Sequence, residues 1–104
     1  DRRNAESLAV LQSLGVAAQD IHFAGTSLGI ADSALAMHLR MAMAWIAPVL
    51  LQKELAAVYI PAWEGGHPDH DALHAGVANL AREHGLLGLC RQFSLYNSRG
   101  LSAP

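Results

Sequence analysis

Apolar and polar positions follow two rhythms along this 104-residue chain. In "NAESLAVLQSLG" Ala5, Leu8, Leu11 and Leu14 recur every three or four residues. That spacing predicts one stripe of a helix, with Gly15 placed to end it in the left-handed conformation. A second stripe of Leu35, Leu39, Ala42 and Ile46 predicts a helix that Asp32 or Ser33 can cap. Pro48 disfavours helical geometry at Ala47 and can open a further short helix to about Leu55. A third stripe, Leu73, Val77, Leu80 and Ala81, predicts a helix over residues 70–84, stopped by Gly85.

Between these helices lie short runs without helical period. "DIHFAG" predicts a strand at 20–24, "AAVYIP" one at 56–60, and "RQFSLYN" one at 91–97. The second run is apolar throughout, the pattern of a strand covered on both faces in a parallel sheet. Helices and strands alternate along the chain, which predicts an α/β domain. The length suits one domain, residues 1–104, with no internal repeat.

Composition narrows the picture. Apolar residues make up 52% of the chain, so it is not a disordered sequence. The formal net charge is -2 and the seven basic residues are scattered, which points away from nucleic acid and from anionic membrane surfaces. The longest apolar run, "MAMAWIAPVLL", is too short to span a bilayer, and "DRRNAES" has no apolar core of a signal peptide. Cys90 stands alone, so it forms no internal disulfide; it reads as a small core residue in a reducing, cytoplasmic setting. The chain opens inside a helical pattern without an initiator methionine and closes on "LSAP", which reads as a portion of something longer.

The chemistry concentrates in "EGGHPDHDALH", residues 64–74, just after the second predicted strand. Ligands in open α/β sheets bind at the carboxyl ends of strands. Pro68 biases His67 towards extended backbone, and Asp69 is a good N-cap for the following helix. His70 then falls in the first helical turn, where the helix dipole disfavours an imidazolium and favours the neutral ring that a metal needs. Gly65 and Gly66 let the backbone bend close to a ligand. The same features equally describe an ordinary helix start with surface histidines. His70 and His74, four residues apart, could share one metal. His22, His38 and His84 read as incidental and Trp45 as core. Trp63 either borders a ligand pocket or covers the sheet.

The order of elements and this motif resemble the LmbE-like (PIG-L) zinc-dependent deacetylases, which remove acetyl groups from N-acetylglucosamine-type sugars. "RRNAESLAVLQSLGV" is similar to the family's Arg-x-x-Glu helix, "IHFAG" to the strand after it, "VYIPAWEGGHPDH" to the strand and second signature, and "FSLYN" to a strand near the end. The resemblance covers nearly the whole chain. It implies a Rossmann-like three-layer sandwich with a mostly parallel sheet, here lacking the amino-terminal strands. It implies His70 as a zinc ligand, His67 as the acid that stabilises the oxyanion or protonates the leaving amine, and Asp69 as the residue that orients His67. Arg3, more loosely, would lie near an amino-sugar or glycoconjugate substrate. The family's first signature, Ala-His-Pro-Asp-Asp-Glu, supplies the other two zinc ligands and the general base. No segment of these 104 residues matches it. The implied protein is therefore the carboxyl-terminal part of such an enzyme, inactive by itself, that pairs with the missing segment or self-associates. Two other readings compete: a non-catalytic α/β binding or assembly protein, and a small metal-binding domain using His67, His70 and His74.

Overall fold

The computed structural model describes residues 2–52 and 54–94. Its architecture is a small α/β one. Helices α1 (Arg2–Ser13), α2 (Ala24–Leu28), α3 (Leu39–Leu50) and α4 (Pro68–Glu83) accompany strands β1 (Val58–Pro61) and β2 (Cys90–Phe93). The two strands pair in parallel, with Val58 opposite Cys90 and Pro61 opposite Phe93, and α4 is the crossover between them. This β–α–β unit is the connection that a parallel pair requires.

The core lies where α3 and α4 meet one face of β1. Leu50 at the end of α3, Ile60 in β1 and Val77 in α4 form its centre, with Met43, Ile46, Leu73 and Leu80 packed around them. Gly76 belongs to this contact. A Cβ there would meet Leu39 Cδ1 and the Met43 sulfur at 2.9 Å, so the missing side chain is what lets α3 approach α4 so closely.

Several sequence expectations change in the folded chain. The strand expected at 20–24 is absent: Ala18–Asp20 forms a 3₁₀ turn, and α2 begins at Ala24. Ile21 and Phe23 keep extended backbone angles, but no strand lies alongside them among the described residues, and a strand exists only through its ladder. Pro48 does not break the second helix. It sits inside α3, which ends two residues later; its missing N–H leaves the Ala44 carbonyl without its helical partner, a cost the helix bears. The extra helix to Leu55 does not form. Neither Asp32 nor Ser33 caps α3; Ser33 takes a left-handed conformation, φ 68°, and a 3₁₀ turn at Leu35–His38 leads into the helix. β1 is covered unevenly: Ile60 and Pro61, on opposite faces, are buried, while Tyr59 on the Pro61 face is 69% exposed. α1 forms over its predicted stripe, yet none of its residues is buried. Trp45 is half-buried, edge-on to the His22 ring at a centroid distance of 6.0 Å. Of the strand expected at 91–97, β2 realises the first part, and residues 95–97 lie outside the described chain.

Candidate functional site

β1 delivers the chain to its carboxyl end at Pro61, and α4 carries it away from Pro68. The loop between them holds the motif. His67 is extended, φ −79° and ψ 127°, as a residue before proline should be. It is also the N-cap of α4, a role the sequence had suggested for Asp69. The His67 ring accepts a hydrogen bond from the Asp69 backbone N–H at 3.0 Å through Nδ1. Pro68 follows at the first helical position, where its missing N–H has no cost. An Nδ1 that accepts carries no proton, so the neutral His67 ring holds its proton on Nε2.

Asp69 is displaced from the cap because its carboxylate is engaged elsewhere. One oxygen accepts from Ser33 N–H at 2.8 Å and the other from Leu35 N–H at 3.1 Å. These amides open the 3₁₀ turn before α3, so Asp69 caps that turn from a distant part of the sequence. Asp69 and His67 are thus linked through the Asp69 backbone.

His70 lies in the first turn of α4 and stacks on His67, with ring centroids 4.7 Å apart and planes 28° from parallel. Both rings are half-buried at the carboxyl end of β1. Asp71, one residue on, accepts from Glu64 N–H at 3.1 Å and Gly65 N–H at 3.4 Å with a single oxygen. Gly65 makes this turn in the left-handed region, φ 71°. His74 lies one helical turn beyond His70, and its Nδ1 is 3.0 Å from the Pro61 carbonyl. A carbonyl only accepts, so Nδ1 of His74 carries the proton. His67 and His74 therefore hold opposite tautomers, one at the cap and one on the body of the same helix.

Arg3 reaches this side of the molecule from α1. Its guanidinium meets the Asp32 carboxylate at 2.8 Å, and both side chains are exposed. The hydrogen bond and charge of Arg3 hold the Asp32 carboxyl below the usual aspartate range. The same partner raises Arg3 above the ordinary arginine value. Arg3, Asn4, His22, Thr26 and Asp32 line an open cleft of about 550 Å³. A smaller apolar recess of about 200 Å³, lined by Ile30, Leu35, Ala42 and Leu73 among others, reaches from Asp32 to Asp69. Trp63 is 62% exposed, which leaves most of its ring in solvent. Cys90 is half-buried, with its sulfur 3.8 Å from the Leu86 carbonyl.

The structure thus brings together His67, His70, Asp69 and, through Asp32, Arg3. His74 is turned to the strand end. Among the described residues no three His, Cys, Asp or Glu side chains are arranged to hold a metal ion, so the three-histidine site is not assembled. His70 alone does not make a zinc site, which needs three protein donors and an open position. The residues at hand do not complete the metal centre that the resemblance implies. Sequence reasoning missed two residues. Asp32 was considered only as a cap, although it is the acidic partner of Arg3. Asp71 passed unremarked; an acid in the first helical turn behind a glycine pair was the available signal. The comparisons carry the identification no further: no family model, curated protein or solved structure matches the chain.

Proposed function

We propose that this chain is the carboxyl-terminal part of an LmbE-like zinc-dependent N-deacetylase domain acting on N-acetylglucosamine-type sugars or glycoconjugates, within a Rossmann-like sandwich and a cytoplasmic setting. The observation that carries the reading is the His67–Pro68–Asp69–His70 turn at the carboxyl end of β1, with the two imidazoles stacked at 4.7 Å. Ligand chemistry belongs at this edge of an α/β sheet. In this reading His70 is the one zinc donor the chain contributes. His67 offers its Nε2–H to a developing oxyanion, a role that leaves its Nδ1 cap intact. A doubly protonated His67, the acid for a departing amine, would have to surrender the hydrogen bond from Asp69 N–H. The geometry therefore favours oxyanion stabilisation for His67. Arg3, with Asp32, edges the cleft where a sugar would lie. The partner is a segment carrying the other donors and the general base, or a second copy of the chain. No described helix is long and apolar enough to cross a membrane.

A second reading has its own support. Three of the four motif residues serve the fold directly. His67 caps α4, Asp69 ties the 33–35 turn, and Pro68 starts the helix. A non-catalytic α/β binding or assembly protein would keep the motif for those reasons. The two readings separate in the parent reading frame and its protein. The deacetylase reading expects an upstream His-Pro-Asp-Asp-Glu segment, zinc-dependent amine release from N-acetylglucosamine derivatives by that longer protein, and loss of release in His70→Ala. The 104-residue chain alone should release none, since loss of a general base by itself removes on the order of 10²–10⁴ in rate. A parent protein without that segment and without amine release would overturn the deacetylase reading.

A further inference from the structure

The loop between β1 and α4 is held from one side by α4 itself. Six residues, Ala62 to His67, separate Pro61 from Pro68. At the strand end, Ala62 N–H donates to the Phe93 carbonyl at 2.8 Å, which continues the β1–β2 ladder by one rung. His74 Nδ1–H then reaches back to the Pro61 carbonyl, and Asp71 Oδ1 takes the amides of Glu64 and Gly65. Both side chains project from the first two turns of α4, after His70 in sequence. Both are half-buried, so these bonds are partly shielded from competing water.

We propose that Asp71 and His74 are positioning residues that brace the β1–α4 loop, and so set the stacked arrangement of His67 and His70. The inference rests on the reading of His67 and His70 as the working pair. Its physical basis is the number of free torsions. A six-residue loop with a glycine pair has many conformations of similar energy, and His67 sits at its far end. The cap bond from Asp69 N–H ties His67 Nδ1 to α4, but one hydrogen bond fixes neither the tilt of the ring nor the direction from which the loop approaches. Two anchors do that: His74 fixes the distance of α4 from the strand end, and Asp71 fixes the turn at Glu64 and Gly65. A single carboxylate oxygen that gathers two successive amides is a tighter constraint than one bond, since both N–H vectors must converge. His74 can serve only as the Nδ1–H tautomer, so its ring orientation is part of the brace.

The test uses the whole chain and reads ring geometry. Long-range nitrogen–proton spectra should show His74 protonated on Nδ1 and His67 on Nε2. Ring-to-ring proton contacts should be seen between His67 and His70. In Asp71→Ala the Glu64 and Gly65 amides should exchange about tenfold faster, and in both Asp71→Ala and His74→Ala the His67–His70 contacts should be lost. His74→Asn places an amide nitrogen where Nδ1 stood and should restore them. His74→Gln moves the donor by one bond and should not. Amides of Val77 and Ala81 report whether the helix core persists. If an alanine variant loses their protection, the Asn and Gln pair carries the test. Ring contacts unchanged in His74→Gln and Asp71→Ala, with the core intact, would overturn the brace. These readouts do not depend on activity. Loss of the contacts together with an inactive parent protein would leave the brace standing and remove the deacetylase reading.

Discussion

The two halves of this chain hold themselves together by different physics. Among the described residues, those from α3 onward contain every buried apolar side chain: Ala42, Leu50, Ile60, Pro61, Val77 and Ala81. Residues 2–38 contain none. Within the first half the side-chain ties are polar, Arg3 to Asp32 and Asn4 to Thr26 at 2.9 Å, and the Asp69 carboxylate on Ser33 and Leu35 joins it to the second. Yet α1 has an amphipathic stripe as regular as that of α4. An amphipathic helix buries its stripe only when another element lies across it; among the described residues Leu8 and Leu11 reach only half-burial, and Leu14, just past the helix, is 75% exposed. Apolar burial makes the second half one cooperative unit, whereas exposed ion pairs and single hydrogen bonds hold the first half with small increments.

The comparison makes its largest prediction in the core. Ile60→Ala should destabilise the protein by roughly 2–5 kcal/mol, the range for emptying a well-packed site. Leu14→Ala should stay within about 0.5 kcal/mol, as exposed substitutions do. Urea unfolding of both variants checks the contrast. Equal effects would show that the site of Leu14 is as well buried as that of Ile60.

Asp69 tests the seam between the halves. Asp69→Ala removes the acceptor of two amides and should cost about 1–3 kcal/mol. It should also speed hydrogen exchange at Ser33 and Leu35, while the protection of Val77 and Ala81 falls only with global stability. A change confined to the amides around residue 69 would mean that the seam is held by something other than this carboxylate.

The open face of β1 gives the next effect. Tyr59 and Phe93 are exposed, at 69% and 42%, on a parallel pair that has no further strand among the described residues. Such sheets are usually covered on both faces. Light scattering should therefore show the chain self-associating with concentration, and Tyr59→Lys should reduce the associated fraction. A strictly monomeric wild type would break this expectation.

The smallest effect belongs to Arg3 and Asp32. The folded-state pKa of Asp32 is lowered, so the pair's stabilisation is present above the ordinary aspartate range and fades as pH falls through that lowered value. The raised pKa of Arg3 means that its contribution fades only above the ordinary arginine range. Because both side chains are exposed, Asp32→Asn should leave the melting temperature nearly unchanged. Nuclear magnetic resonance titration should find the Asp32 carboxyl at a higher pKa in Arg3→Gln than in the wild type.

What the sequence determined by itself was periodicity and local stereochemistry. The stripes of α1, α3 and α4 and the run that becomes β1 depend on residues close in sequence and were legible, as was a helix beginning close after Pro68, though with Asp69 expected as its cap. Extended backbone at His67 follows from Pro68 alone. The tertiary structure decided everything that needed a partner from afar. Ile21 and Phe23 are extended but unpaired, because a strand is defined by its neighbour. Tyr59 of β1 stays exposed because a single run of apolar residues cannot specify what covers it. His67 rather than Asp69 caps α4, because the Asp69 carboxylate finds Ser33 and Leu35, more than thirty positions away, and the imidazole takes the cap position. Of the candidate site, the place of His67 and His70 just past the second predicted strand was legible in the motif. Their stacking, the opposite tautomers of His67 and His74, and the grip of Asp71 on the loop were not, since each is set by distances that only the folded backbone creates.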